Sequence, residues 1–166
     1  MASPLTLCKT GLFSAVVPGT VAGIIPSLLA RRDRGTLPIG SRPARIAGFA
    51  SLLSGLALYV HTAWRFADEG EGTPAPIDEP DELVRGGIYA HVRNPMYVAV
   101  LLCIIGHGLL RRSPLALWWA VGCWLGFHRR VVDDEEPHLR EKHGAAYEAY
   151  CEAVPRWLPR VRAVDR

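Results

Sequence analysis

The sequence predicts an all-α, multi-pass integral membrane bundle: about four transmembrane helices, the last two a tight hairpin, then a C-terminal amphipathic helix. Three observations predict it. The 166 residues are 49 % hydrophobic and only 21 % charged. The charges fall in blocks and the apolar residues in long runs, which the mean hydropathy of +0.13 conceals. Four of those runs approach the roughly 20 residues that a helix rising ~1.5 Å per residue needs to cross a ~30 Å hydrocarbon layer.

Each run has its own character. Residues 11–30 (GLFSAVVPGTVAGIIPSLLA) carry no charge, and Pro18 and Pro26 should kink them. Residues 47–64 (AGFASLLSGLALYVHTAW) form the cleanest span, bracketed by Arg45 and Arg65. Met96 to Leu110 is apolar but short and ends at Arg111-Arg112-Ser113-Pro114. Leu115 to Phe127 follows at once, so these two runs read as a hairpin of helices turning at Ser113-Pro114. Gly48, Gly55, Gly106 and Gly108 suit close helix packing in lipid. Trp118, Trp119 and Trp124 fit an interfacial belt or a packed core. A cleavable signal peptide fits residues 1–30 poorly, because the prolines interrupt the apolar run and Lys9 is its one early cation.

The polar segments divide the chain into residues 1–66, two membrane helices of which the first can be re-entrant, and a core at 67–166. Residues 31–45 form an arginine-rich loop, with Arg31, Arg32, Arg34, Arg42 and Arg45. Residues 67–95 are the longest connection, rich in Pro, Gly and acid. Their second half carries apolar and aromatic residues that demand burial, which reads as an ordered loop packed against the bundle. Residues 129–152 read as an amphipathic helix with Asp133, Asp134, Glu135 and Glu136 on its polar side. Leu139, Tyr147 and Tyr150 are available for the other face, and Gly144 is a break point. The prolines of Val154-Pro155-Arg156-Trp157-Leu158-Pro159 forbid regular helix.

Several function classes drop out. The apolar content excludes a disordered chain, and the glycines show no triplet period. A net charge of +3 without a basic stripe interleaved with aromatics argues against nucleic acid as a partner. Cys8, Cys103, Cys123 and Cys151 stand singly, which offers neither a disulfide framework nor a zinc site. His138 and His143 are five apart, the wrong spacing for two ligands on one helical face. No Gly-x-Ser-x-Gly elbow and no phosphate-binding glycine loop is present.

A tight hairpin returns the chain to the membrane face it left. Leu83–Tyr97 and Arg129–Tyr150 should therefore meet, gathering Tyr89, His91, Arg93, Asn94 and Tyr97 beside Arg129, Arg130, Glu135 and Glu136. Aromatics, amides and a carboxylate suit binding a cofactor and aligning two reactants. Methyl transfer from a sulfonium donor needs in-line positioning, a dry site and carboxylate or aromatic faces near the cation.

The segments GGIYAHVRNPMY (86–97) and DEEPHLREKHGAAYEAYCEAVPRWLP (134–159) resemble the isoprenylcysteine carboxyl methyltransferase family, which in turn resembles the membrane phospholipid methyltransferases. The shared pattern runs Gly-x-Tyr, Arg-His/Asn-Pro-x-Tyr, an apolar hairpin, Glu-Glu-x-x-Leu, Phe/His-Gly-x-x-Tyr-x-x-Tyr and Val-Pro-Arg. Gly72-Thr73-Pro74-Ala75-Pro76 and Leu83-Val84 look like its bacterial branch, and the resemblance covers roughly residues 70–160. It implies S-adenosyl-L-methionine as methyl donor, bound at the cytosolic mouth of the bundle in the cell membrane, with a lipid or lipophilic small molecule as acceptor. It implies cofactor contacts from Leu83, Val84, Tyr89, Asn94, Pro95, Met96, Tyr97 and Glu135. Arg93 and Arg130 are the candidates for the acceptor side of the reaction.

The chain departs from the pattern at two places. Asn94 stands where the prenylcysteine enzymes have His, so it can hydrogen-bond but not titrate. Val131 stands where they carry an arginine, four residues before Glu135. Arg129 and Arg130 each precede an aspartate by four, which an i,i+4 ion pair explains. His61, His107 and His128 read as packing or interfacial residues. Cytosolic donor supply puts loop 67–95 and the carboxyl end inside, whereas the arginines of loop 31–45 favour the same side by the positive-inside tendency. Two other readings fit these segments: an NADPH-dependent membrane reductase of the sterol-reductase type, and a non-catalytic membrane scaffold.

Overall fold

The computed structural model describes residues 16–69 and 83–160, and every regular element among them is helical. The 72–76 motif and residues 11–15 of the first apolar run lie outside the described residues. A helical segment covers 16–32, with a π-helical turn at Thr20–Ile24 followed by α1, Ile25–Arg32. Helix α2 is Ser41–Glu69, α3 is Pro95–Arg111 and α4 is Pro114–Arg130. A second π-helical turn, Val131–Glu135, leads into α5, Glu136–His143, and α6 is Ala145–Ala153. A 3₁₀ turn at Gly87–Ala90 precedes α3.

Both π turns have the same cause. Pro26 and Pro137 each sit two residues beyond the turn, where a proline ring would strike the carbonyl four residues back in α-helical register. Widening the turn removes that clash. The amides of Ile25 and Glu136 then bond to the carbonyls five residues back, on Thr20 and Val131. The irregularity expected at Pro26 takes the form of this widened turn.

Helix α2 is the longest element. Its Ser41–Arg65 stretch is long and apolar enough to cross a membrane, and only 17 % of its most apolar window is buried. A soluble core helix would be mostly covered. Ile46, Leu53, Val60 and Trp64 face outward and are 64–65 % exposed, a surface that matches hydrocarbon better than water. Helix α2 begins at Ser41, so Arg42 and Arg45 belong to its first turns, and the preceding loop is shorter than the sequence suggests.

Glycines seat α2 against the shorter apolar helix α3. A Cβ on Gly55 would lie 2.8 Å from both the Ala99 carbonyl oxygen and Cys103 Sγ. One on Gly106 would lie 2.8 Å from the Leu52 amide nitrogen and 2.9 Å from the Gly48 carbonyl oxygen. Backbones approach so closely only without side chains between them. Ser51 Oγ adds a 2.8 Å hydrogen bond to the Leu102 carbonyl. The core above this seam is Val100, Ile104, Ala120 and Cys123, with Tyr59, Trp119 and Phe127 packed around it.

A two-residue link, Arg112-Ser113, joins α3 to α4. Arg112 takes a left-handed conformation (φ 52°), and Ser113 caps α4 by accepting from the Ala116 amide at 3.2 Å. Asp33 completes this end: its carboxylate accepts from Ser113 Oγ at 2.6 Å, the Leu115 amide at 2.9 Å and the Gly35 amide at 3.0 Å. These hydrogen bonds, that of Ser113 foremost, hold the Asp33 carboxyl below its ordinary value. The Leu37 amide donates to the Arg112 carbonyl at 3.0 Å. Loop 33–40 therefore lies against the 112–113 link, about 24 Å along α3 from the end where Tyr97 stands.

Candidate functional site

Four segments converge at the Tyr97 end: residues 83–97, the end of α4 with its π turn, α6, and the tail 154–160. Tyr97, one turn into α3, stacks on Phe127 near the end of α4, with centroids 4.6 Å apart. Its hydroxyl donates to Glu135 Oε1 at 2.5 Å, and Arg130 Nε donates to the same oxygen at 2.9 Å. The π turn makes the second contact. An α-helix would bring Arg130 over Asp134, whereas the wider turn aligns it with Glu135, five residues on. Arg129 does form the expected i,i+4 pair, with Asp133 at 3.8 Å, on the exposed surface. The Glu135 carboxylate is 32 % exposed, so it reaches both the cluster and its surroundings.

Glu136 has a different role from its neighbour. Its side chain is 3 % exposed and accepts from Arg156 twice, Nε at 2.6 Å and Nη2 at 2.9 Å. Arg93 Nη1 donates to it at 3.0 Å and Arg140 Nη2 at 3.3 Å. Burial works against ionisation of Glu136. The Arg156 hydrogen bond and the charges of Arg93, Arg156 and Arg140 outweigh it and hold the carboxyl below its ordinary value.

This cluster fastens the tail, whose prolines prevent helix as expected. Arg156 draws it inward from one side. Along the other, the Arg93 amide donates to the Pro155 carbonyl at 2.9 Å and the Arg160 amide to the His91 carbonyl at 3.0 Å. Asn94 Nδ2 donates to the Arg156 carbonyl at 3.2 Å. Trp157 is thereby set 6.4 Å from the rings of both Tyr97 and Trp124, and its Nε1 donates to His128 Nδ1 at 3.2 Å. That hydrogen bond assigns the His128 proton to Nε2. Gly144 (φ 52°, ψ −129°) breaks the chain between α5 and α6, so Tyr147, Tyr150 and Val154 turn inward, with Leu83 and Leu139 against them. Tyr150 donates to the Tyr89 carbonyl at 2.8 Å, and burial pushes its phenol well above its ordinary value.

The structure thus brings Tyr89, Arg93, Asn94, Tyr97, Arg130 and Glu135 to one end of the bundle. Leu83 packs on the tyrosine cluster, Tyr89 and Pro95 are buried, and Val84 and Met96 are half-buried. Arg93 is not at the surface: its side chain is 11 % exposed, and Nη1 also donates to Cys151 Sγ at 2.7 Å. Sequence reasoning missed the burial of Glu136, the aromatic wall of Phe127 and Trp157, and the place of Arg65. A Cβ on Gly87 would strike the Arg65 guanidinium, so Gly86-Gly87 lets loop 83–97 lie on the end of α2. The positive φ of 59° at Gly87 suits glycine as well. Two cavities, of about 590 and 400 Å³, lie away from this cluster, one on the outer face of α2 at Leu53–Trp64 and one beside helix 16–32.

Residues 43–146, more than half of the chain, match the model of the phospholipid methyltransferase family. The chain is also 35 % identical over 78 residues to a protein-S-isoprenylcysteine O-methyltransferase of Schizosaccharomyces pombe, covering 46 % of this chain and 33 % of that protein. It is 32 % identical over 83 residues to protein-S-isoprenylcysteine O-methyltransferase B of Arabidopsis thaliana, covering 49 % and 42 %. A Xenopus laevis protein-S-isoprenylcysteine O-methyltransferase matches at 34 % identity, covering 49 % and 28 %. The matches span well under half the length of these relatives. The resemblance read from the motifs and the match over the helical core agree, and the chain belongs to the phospholipid methyltransferase family.

Proposed function

We propose that the protein is a membrane-embedded methyltransferase that uses S-adenosyl-L-methionine to methylate a lipophilic acceptor. One observation carries this reading: Tyr97 and Glu135, from the two motif segments that resemble the methyltransferases, are in direct hydrogen-bond contact. The residues at this end fit such a donor, because a carboxylate about one-third exposed stands beside the aromatic faces of Tyr97, Phe127 and Trp157. Cations are attracted to such faces, and a carboxylate accepts hydrogen bonds from an ammonium or a ribose.

When bound, S-adenosyl-L-methionine supplies an electrophilic methyl group on a sulfonium, and the acceptor's carboxylate, amine or thiol supplies the electron pair. The chain's own part is alignment and the exclusion of water. Glu135 and Tyr97 hold the polar end of the donor, while Leu83, Val84, Tyr89, Asn94, Pro95 and Met96 form the surrounding wall. Arg130 orients Glu135. Arg93 acts by fixing Glu136, and through it the tail that carries Trp157. In this reading α3 and α4 form a hairpin within a bundle of about four spans, the reacting end faces the cytoplasm, and the acceptor enters laterally from lipid.

The test incubates the purified full chain with isotopically labelled S-adenosyl-L-methionine and a total lipid extract. The expected result is a labelled lipid-soluble product, together with thermal stabilisation by the donor. Absence of product combined with stabilisation by NADPH alone would overturn the reading.

A further inference from the structure

At the end of the bundle opposite Tyr97, helix 16–32 forms a groove with α3 that methyl transfer does not use. Its cavity of about 400 Å³ is lined along one helical row by Gly19, Gly23, Ser27 and Arg31, spaced four apart. Ile24 and Leu28 flank that row, and His107 of α3 faces it. The sequence explains the shape. Glycine at 19 and 23 leaves this stretch of the helix surface without side chains and open, and a Cβ at Gly23 would meet nothing within 4 Å. Ser27 and Arg31 then place a hydroxyl and a guanidinium toward the mouth.

Size and charge say what fits. From Gly19 to Arg31 the helix rises about 18 Å, close to the ~15 Å depth of one leaflet of a ~30 Å hydrocarbon core. A ligand with an apolar chain and a polar end matches that profile, which a soluble anion does not. Arg31 is the arginine that lines the groove; it is exposed and forms no ion pair among the described residues, as is also true of Arg32 and Arg34 outside the lining. Asp33, the carboxylate among them, is fully engaged by Ser113, Leu115 and Gly35. His107 borders the groove through its ring, and its Nδ1 is buried away from it with no hydrogen-bond partner among the described residues.

We propose that this groove binds one anionic phospholipid, with its phosphate at Arg31 and Ser27 and an acyl chain along Gly23 and Gly19. The site is separate from the Tyr97–Glu135 end and does not depend on the methyltransferase reading. It also gives Arg31 a role at the far end of the bundle, in the leaflet opposite the proposed reacting end.

The experiment uses the full chain, delipidated in a neutral detergent, with thermal unfolding followed on titration. The probes are phosphatidylglycerol, phosphatidylcholine of the same acyl chains, and inorganic phosphate. Phosphatidylglycerol should stabilise the protein saturably at about one molecule per chain, and the other two should do so weakly. Arg31→Gln should weaken the effect about tenfold, as loss of a charge-assisted hydrogen bond does. Gly23→Leu, which fills the groove without striking its surroundings, should remove it, while Gly122→Leu and Arg34→Gln should leave it intact. Equal stabilisation by phosphatidylcholine or by inorganic phosphate would overturn the proposal. So would unaltered titrations of Arg31→Gln and Gly23→Leu, or an equal loss in Arg34→Gln, which would mark diffuse surface attraction.

Discussion

Arg93 and Glu136, 43 positions apart in the chain, meet at 3.0 Å with side chains 11 % and 3 % exposed. Neither charge is near water, so each depends on the other, and Arg156 joins them from the tail. Replacing Glu136 by Gln leaves two largely buried guanidiniums without an anion. The expected cost is about 3 kcal/mol, at the low end for a broken buried pair because Arg156 is 30 % exposed. Denaturant unfolding in detergent measures it. Arg140→Gln should barely move the same midpoint, because Arg140 is 41 % exposed and its partner Glu136 keeps two other arginines.

The same carboxylate sets an acid limit. Its pKa in the folded protein lies below its ordinary value of 4.5, so the ionised form favours the fold. That stabilisation is complete above about pH 4.5 and is lost as pH falls through the lower folded value. Unfolding midpoints should therefore be flat with respect to Glu136 above pH 5 and drop below pH 4.5. In Glu136→Gln the acid drop should be shallower.

Tyr97→Phe keeps the stack on Phe127 and removes the hydrogen bond to Glu135. A loss of about 1.5 kcal/mol in stability is expected, as for a hydrogen bond to a charged group. Glu135→Gln should weaken binding of S-adenosyl-L-methionine about tenfold by calorimetric titration, since a charge-assisted contact is exchanged for a neutral one. Unchanged donor affinity would remove Glu135 from the site.

Gly55→Ala places a methyl group against the backbone of α3 and should cost about 1–3 kcal/mol through forced separation of the helices. Gly122→Ala is its control, because a Cβ there meets nothing within 4 Å and the helix gains about 1 kcal/mol in propensity. Opposite shifts of the thermal midpoint are the expected outcome.

Loop 33–40 touches the 112–113 link, whereas the tail touches residues 91–94 at the other end of α3. Reporter fusions at Pro38 and after Arg160 should therefore report opposite sides of the membrane. A shared side would mean that α2 does not cross the membrane.

Much of the architecture was legible in the residues. Charge-free runs announced helices, Gly144 announced the break between α5 and α6, and the prolines after Val154 announced an irregular tail. Gly48, Gly55 and Gly106 announced a close seam, since helices in lipid approach through small residues. The aromatic and acidic motifs at 86–97 and 134–159 pointed to one end of the bundle. Glu136 was not legible in this way. It stands in a run of four acids, DDEE, that reads as a solvated face, and its burial comes from arginines 43 positions upstream and 20 downstream.

The sequence by itself determined the helical class, the apolar lengths, the break points and the two polar segments that meet at the Tyr97 end. These are local properties, set by composition and by which backbone conformations Pro and Gly permit. Only the tertiary structure decided that Glu135 faces Tyr97 and Arg130 while its neighbour Glu136 faces inward to Arg93 and Arg156. That choice depends on the rotation of the chain about its axis after α4, which the π turn before Pro137 sets. Adjacent residues on a helix differ by about 100° in direction, so a single added residue in one turn redirects every charge beyond it.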